Sequence, residues 1–260
     1  MRSIREPEAA ELDRHAPVAV NVSWNMSATK SIPRPARRRR GALFVLLHWC
    51  VAGALAAWIS AALSVVVLRW LDPPFTAVHV QRRIQSLIHK KPYRKRYVFV
   101  PLTRISPEFQ HAVVAAEDAR FYQHHGFDWR EIQIAVEDDL DDRRVRGAST
   151  ITQQLVKNLF FGTGRSSLRK GLEATLVPVA EIALGKRRIL ELYLNVVEWG
   201  PGVYGAEAAA RYHYSTTARQ VDRGQALRLA AILPAPLKRR PERMTNYSAI
   251  IDGRMRQMGW

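Results

Sequence analysis

One stretch limits what this chain can become before any motif is read. Residues 41–68 contain no Asp, Glu, Lys or Arg. At about 1.5 Å per helical residue the run is long enough to cross a hydrocarbon layer of about 30 Å. Trp49 and Trp58 lie inside it, and Arg69-Trp70 closes it with an interface-like pair. A cleaved signal would have a shorter apolar region ending in a small-x-small site. Ala52-Gly53-Ala54 offers such a triplet, but the length favours an uncleaved anchor. Four arginines, 37–40, stand directly before the run, which places the N-terminus in the cytoplasm and the rest of the chain on the far side. The expected organisation is a disordered basic arm (1–40), an anchor (41–69) and one domain (70–260).

The net charge of +17 calls for an anionic partner, such as a membrane surface, a phosphorylated substrate or nucleic acid. The far-side location argues against nucleic acid. Cys50 is the single cysteine, so an intrachain disulfide and a cysteine-based zinc site are excluded. Residues 78–88, followed by Lys90 and Lys91, read as a basic amphipathic segment that either packs on the domain or rests on anionic lipid. Residues 97–100 read as a short strand or extended link. Beyond Val100 no long alternating run occurs, so the domain is expected to be mainly α.

Three dense stretches carry candidate chemistry. In the first, Ser106-Pro107-Glu108 opens a helix with a cap, a proline at the first helical position and an acid in the first turn. Its apolar residues 112–116 deliver Glu117 near the helix end, with Gly126 as the expected stop signal. A partly desolvated carboxylate there suits a general base. The neighbours Asp118, Arg120, Phe121, His124 and Gly126 read as support for that helix end.

The second stretch enters from Gly147. Ser149 or Thr150 caps a helix whose stripe is Ile151, Leu155 and Leu159. Gln153, Gln154, Lys157 and Asn158 lie beside the stripe; amides suit sugar hydroxyls and N-acetyl groups, and the lysine suits a phosphate. The third is Arg165, Arg169, Lys170 and Glu173, a compact anion site in which Glu173 is either a counter-ion or a second working carboxylate. Residues 167–170 also fit Ser-x-x-Lys, but no Lys-Thr-Gly follows, so that match is chance. The acidic run 137–142 lacks the glycine and spacing of a calcium loop and reads as a solvated charge cluster.

Taken together, Glu117-Asp118-x-Arg120-Phe121-Tyr122-x-His124-x-Gly126, Gly147-Ala148-Ser149-Thr150-Ile151-Thr152-Gln153-Gln154-x-x-Lys157-Asn158 and Arg169-Lys170-x-x-Glu173 resemble the first three motifs of the peptidoglycan glycosyltransferases, family 51. Ile189-Leu190-Glu191-x-Tyr193-Leu194-Asn195 and Gly202-Val203-Tyr204-Gly205-x-Glu207-x-Ala209-Ala210 resemble the fourth and fifth. With one anchor and no transpeptidase segment, the chain is most similar to the monofunctional members in Gram-negative bacteria. Three departures stand out: Tyr212-His213-Tyr214 where Tyr-Phe is usual, Gln225 where Glu is usual, and Pro178 inside the helix after the third motif, where a kink is expected.

The resemblance implies a lysozyme-like, mainly helical domain in the periplasm, anchored in the inner membrane. It implies polymerisation of lipid II onto a growing lipid-linked glycan, with release of undecaprenyl diphosphate. Glu117 would be the base, and Glu173 with Lys157, Arg165, Arg169 and Lys170 would frame the donor diphosphate. Ser149, Thr150, Gln153 and Gln154 would bind or shape the sugar site. No cofactor is required by the sequence; a divalent cation, magnesium or manganese, would act on the diphosphate. The bilayer and cell-wall synthesis proteins are the expected partners. Two other readings remain: a glycan hydrolase, which leaves the cation cluster unexplained, and an inactive anchored scaffold, which would spread its cations evenly.

Overall fold

The computed structural model describes residues 37–140, 149–164 and 166–260. Residues 1–36, the arginine cluster 143–146, the Gly147-Ala148 entry to the second motif, and Arg165 lie outside the described residues.

The uncharged stretch forms helix α1, Arg37–Val67, of which Ala42–Val67 is long and apolar enough to cross a membrane. Its exit is fixed to the domain. Arg188 donates to the carbonyls of Leu68 (2.9 Å) and Leu71 (3.0 Å) and to Asp72 (2.8 Å). Arg69 reaches the Ala183 carbonyl at 2.7 Å, and the Trp58 indole donates to Thr175 at 2.8 Å. The amphipathic segment is helix α2, Ala77–Ile88, capped by the Thr76 hydroxyl.

The domain is mainly α. Helix α3, Pro107–Glu117, begins as expected: the Ser106 hydroxyl accepts the Phe109 amide, and Pro107 fills the first position. It buries Phe109 and residues 112–115 against α8, Arg223–Ile232, and α9, Thr245–Gln257. The helix stops at Glu117 itself, not at Gly126. Asp118 takes the cap position at φ −160, which throws the chain into an irregular loop. Gly126 lies inside that loop at φ +92, a left-handed conformation that glycine adopts at little cost. Helix α4, Trp129–Leu140, follows.

Helix α5, Ile151–Val156, opens with a capping box: the Thr150 hydroxyl accepts from the Gln153 amide while the Gln153 side chain accepts from the Thr150 N–H. It continues into a π-helical turn, Lys157–Phe161. Helix α6, Ser167–Val196, packs along α5. The kink expected at Pro178 falls instead at Gly185, where φ is +71 and ψ is 161. Helical dihedrals hold through the proline.

A small sheet joins the segment before α3 to the chain after α6: its first strand overlaps the strand or link expected at 97–100, and the two strands after α6 had no counterpart in the sequence reading. Strand β1 is Arg96–Tyr97, β2 is Glu198–Gly200 and β3 is Val203–Tyr204, in the order β1-β3-β2. β1 pairs parallel to β3 and β2 antiparallel to it. These strands are too short to show a period-2 pattern. Helix α7, Ala206–Tyr214, is the alanine-rich segment.

Two of the sequence departures are accommodated locally. Gln225 closes a capping box with Asp222 at the start of α8, a role glutamine fills as well as glutamate. His213 bonds the Trp199 carbonyl at 2.9 Å and so pins the hairpin.

Asn195 joins the sheet region to the segment before α3. Its amide accepts from Val100 N–H and donates to Val100 C=O, both at 2.9 Å, with no exposed surface. Asn195→Leu would leave both backbone groups buried and unpaired, at about 1–3 kcal/mol each. Denaturant unfolding in detergent is expected to show a loss of roughly 2–5 kcal/mol. A loss well below 1 kcal/mol would contradict this pairing.

Candidate active site

The site is built from the loop after α3 and the start of α5, which lock together. Asp118 is buried; it accepts from the Ile151 N–H at 3.0 Å and pairs with His124 Nε2 at 2.9 Å. The Gly126 N–H donates to His124 Nδ1, so Nε2 carries the ring proton and donates it to Asp118. The Thr150 hydroxyl donates to the Gly126 carbonyl at 2.7 Å. Arg120 pairs with Asp128 at 3.1 Å. Phe121 is fully buried beneath the Lys186 ammonium, and the Asn158 amide bonds the Gln154 carbonyl at 2.8 Å.

This lock sets the register of α5, and one turn along, Gln154 meets Glu117. The Gln154 Nε2 donates to Glu117 Oε2 at 2.8 Å, while its Oε1 accepts from the Tyr193 hydroxyl at 3.0 Å. Glu117 Oε1 is shielded from solvent and has no partner among the described residues. Burial pushes the Glu117 carboxyl above its ordinary range, and Asp118 adds to the rise. The Gln154 bond and the charges of Lys157 and Arg239 pull it back only in part.

Glu117 lines a polar cleft with Arg120, Asp128, Glu131, Ser149 and Arg254. It is also within electrostatic reach of the cation cluster. Lys157 opens the π turn, within electrostatic reach of both Glu117 and Glu173. Its burial lowers the ammonium pKa, while those two carboxylates raise it. Glu173 is buried and paired to Arg169 one helical turn before it. The Arg169 Nε is buried without a partner among the described residues, which leaves a donor unfilled. Lys170 is exposed at the edge.

Glu117, Gln154, Lys157, Arg169 and Glu173 are therefore brought together. Thr150 and Gln153 lie beside them with their side chains engaged in the capping box, and Ser149 is half-buried in the cleft wall. Three residues escaped the sequence reading. Tyr193 appears there only as part of the fourth motif, though a buried tyrosine hydroxyl usually finds a partner. Arg239 and Arg254 belong to a basic tail without periodicity. Arg254 donates to the Ala115 and Ala116 carbonyls at the end of α3 (3.3 and 3.5 Å).

Asp118, His124 and Asp128 lie close enough to suggest a metal site. The ring does not fit one: Nδ1 accepts from Gly126 and Nε2 gives its proton to Asp118, so neither nitrogen has a lone pair to offer. Beside Lys157, Glu173 is engaged with Arg169 and makes no cage of carboxylates.

A shielded carboxylate facing fixed cations, in a mainly α domain behind an apolar helix, defines a group-transfer site for an anionic substrate. Residues 82–258 match the family model described as Transglycosylase, and the chain belongs to that family. It is 45% identical over 211 residues to a "Biosynthetic peptidoglycan transglycosylase" of Pseudomonas entomophila (81% of this chain, 86% of the relative). It is 42% identical over 218 residues to the protein of that name from Pseudomonas aeruginosa (84% and 91%). Over 230 residues it is 44% identical to the one from Aeromonas hydrophila (87% and 95%).

The raised Glu117 pKa has a consequence for stability. Below the ordinary glutamate value of about 4.3 the group is protonated folded and unfolded alike, and costs nothing. As pH rises through that value and then through the higher folded one, the unfolded state ionises more easily and stability is lost. Glu117→Gln removes this penalty. In detergent it is expected to melt above wild type at pH 8 and to converge with it toward pH 4. A difference constant across that range would contradict the assignment.

Proposed function

We propose that the chain is a peptidoglycan glycosyltransferase that polymerises lipid II into β-1,4-linked glycan and releases undecaprenyl diphosphate. The observation that carries this reading is that Glu117 lines a polar cleft and lies within electrostatic reach of Lys157, which in turn neighbours the Arg169–Glu173 pair. Family membership and the names of the relatives support it.

Glu117 Oε2 is held by Gln154, so Oε1 is the oxygen that receives the proton. It takes the proton of the acceptor's GlcNAc 4-hydroxyl as that oxygen attacks C1 of the donor. The O4–C1 bond forms, the bond from C1 to the phosphate oxygen breaks, and its electron pair leaves on the diphosphate. Lys157, Arg169 and Lys170 meet the charge that develops there, and the Arg169 Nε supplies an unfilled donor. Arg165 joins them in this reading. Glu173 holds Arg169 in place, a positioning role in preference to a second acid. Ser149 lies where an acceptor sugar would rest, and Gln154 acts through Glu117. A magnesium or manganese ion would arrive as part of the diphosphate substrate.

In this reading α1 is a single-pass anchor in the bacterial inner membrane, with the N-terminus cytoplasmic and the domain periplasmic. The exposed apolar residues Val80, Ile84, Leu87 and Ile88 of α2, beside Arg83, Lys90 and Lys91, suit the surface from which a lipid-linked substrate arrives. Partners are lipid II, the growing glycan and cell-wall synthesis proteins.

Purified protein incubated with lipid II in detergent is expected to yield glycan polymer. Glu117→Gln is expected to lower the rate by at least about 100-fold, the usual worth of a general base. Arg169→Ala is expected to lower kcat by about 100-fold or more through lost stabilisation of the leaving group. Polymerisation by Glu117→Gln at the wild-type rate would overturn the assignment, and shortening of preformed glycan would favour a hydrolase.

A further inference from the structure

We propose that Tyr193 is a positioning residue for Glu117, acting through the amide of Gln154. The inference rests on the reading of Glu117 as the base and adds a residue that touches neither substrate nor reacting atom.

The geometry is a chain of two hydrogen bonds. The Tyr193 hydroxyl donates to Gln154 Oε1 at 3.0 Å, and Gln154 Nε2 donates to Glu117 Oε2 at 2.8 Å. An amide has two ends of opposite polarity, and the phenol decides which end faces the carboxylate. With its oxygen held by Tyr193, Gln154 presents N–H to Glu117, the arrangement that favours the ionised form. The reversed amide would set an oxygen against a carboxylate and would suit only protonated Glu117.

Tyr193 is equipped for this task. It is fully buried on the last turns of α6, and burial near Glu117 and Asp118 holds its phenol far above its ordinary pKa, so it stays a donor throughout the working range. Gln154 is held from its backbone side too, since Asn158 bonds its carbonyl. The remaining freedom of the amide is rotation about its own terminal bond, and the Tyr193 hydroxyl restrains that rotation.

The charged groups facing Glu117 come from several elements: Asp118 beside it, Arg120 in the following loop, Lys157 from the π turn, Arg239 from the segment after α8 and Arg254 from α9. Removing one phenol oxygen alters none of these charges. A change in the titration of Glu117 in Tyr193→Phe would therefore report the amide.

The test is the pH dependence of lipid II polymerisation by full-length protein in detergent. Tyr193→Phe is expected to lower kcat by about 5-fold, the worth of one net hydrogen bond, with KM within about 2-fold of wild type. Its acid limb is expected to move to higher pH by about half a unit, because the ionised form has lost orienting support. In a Gln154→Leu background, Tyr193→Phe is expected to add nothing, since the link is already cut. An unmoved acid limb in Tyr193→Phe would overturn the proposal, as would effects of the two substitutions that simply add. Glu117→Gln separates the two levels. If that variant is inactive while Tyr193→Phe leaves the limb in place, the relay alone fails. If it polymerises normally, the reading of the base fails first.

Discussion

The shielded carboxylate of Glu117 is the constraint around which the domain is arranged. It ends helix α3, where the helix dipole is negative and disfavours an anion. Burial disfavours the anion again. Opposing this are the Gln154 amide and the Lys157 and Arg239 charges, while the Arg254 guanidinium bonds carbonyls at the end of α3. Each requires a different packing event. α5 must dock on the loop after α3, and α8 and α9 must close over its far side. Burial raises the carboxyl's proton affinity, and the contacts that the completed fold supplies offset that rise in part.

Helix α6 connects this site to the anchor. Its first half carries Arg169 and Glu173, and its last turns carry Tyr193. Between them, Thr175, Ala183 and Arg188 hold the end of α1 and the exit segment. The element that carries Arg169 and Glu173 is thus also the one bonded to the end of the apolar helix. In the proposed reaction the leaving group is itself attached to a lipid, so bonds from α6 to the exit of the apolar helix (Trp58, Leu68 and Arg69) have a direct use.

Much of the site was legible in the sequence because its chemistry is local. Thr150 and Gln153 announce a helix start by spacing alone, and Ser106-Pro107-Glu108 does the same. Arg169 and Glu173 lie one turn apart, so their pairing follows from helical geometry. What stayed hidden depends on where the chain returns to itself. The contacts of Tyr193 with Gln154 and of Arg254 with Ala115 join positions far apart in sequence and leave no periodic trace. The Gly126 stop signal misled because a polar residue, Asp118, ended the helix earlier through its own side-chain bonds. Pro178 misled because its neighbours kept helical dihedrals, while Gly185 made the break. Of the short sheet only the first strand was foreshadowed, by the strand or link expected at 97–100; the other two escaped because two or three residues cannot show alternation.

The most direct measurement is the titration of the Glu117 carboxyl itself. Difference infrared spectra of the purified protein across pH, with Glu117→Gln as the blank, isolate its carboxyl stretch. The expected result is one carboxyl that ionises above the ordinary glutamate range and vanishes from the spectrum in the variant. A Glu117 band that titrates at the ordinary value would contradict a desolvated base, and with it the arrangement described above.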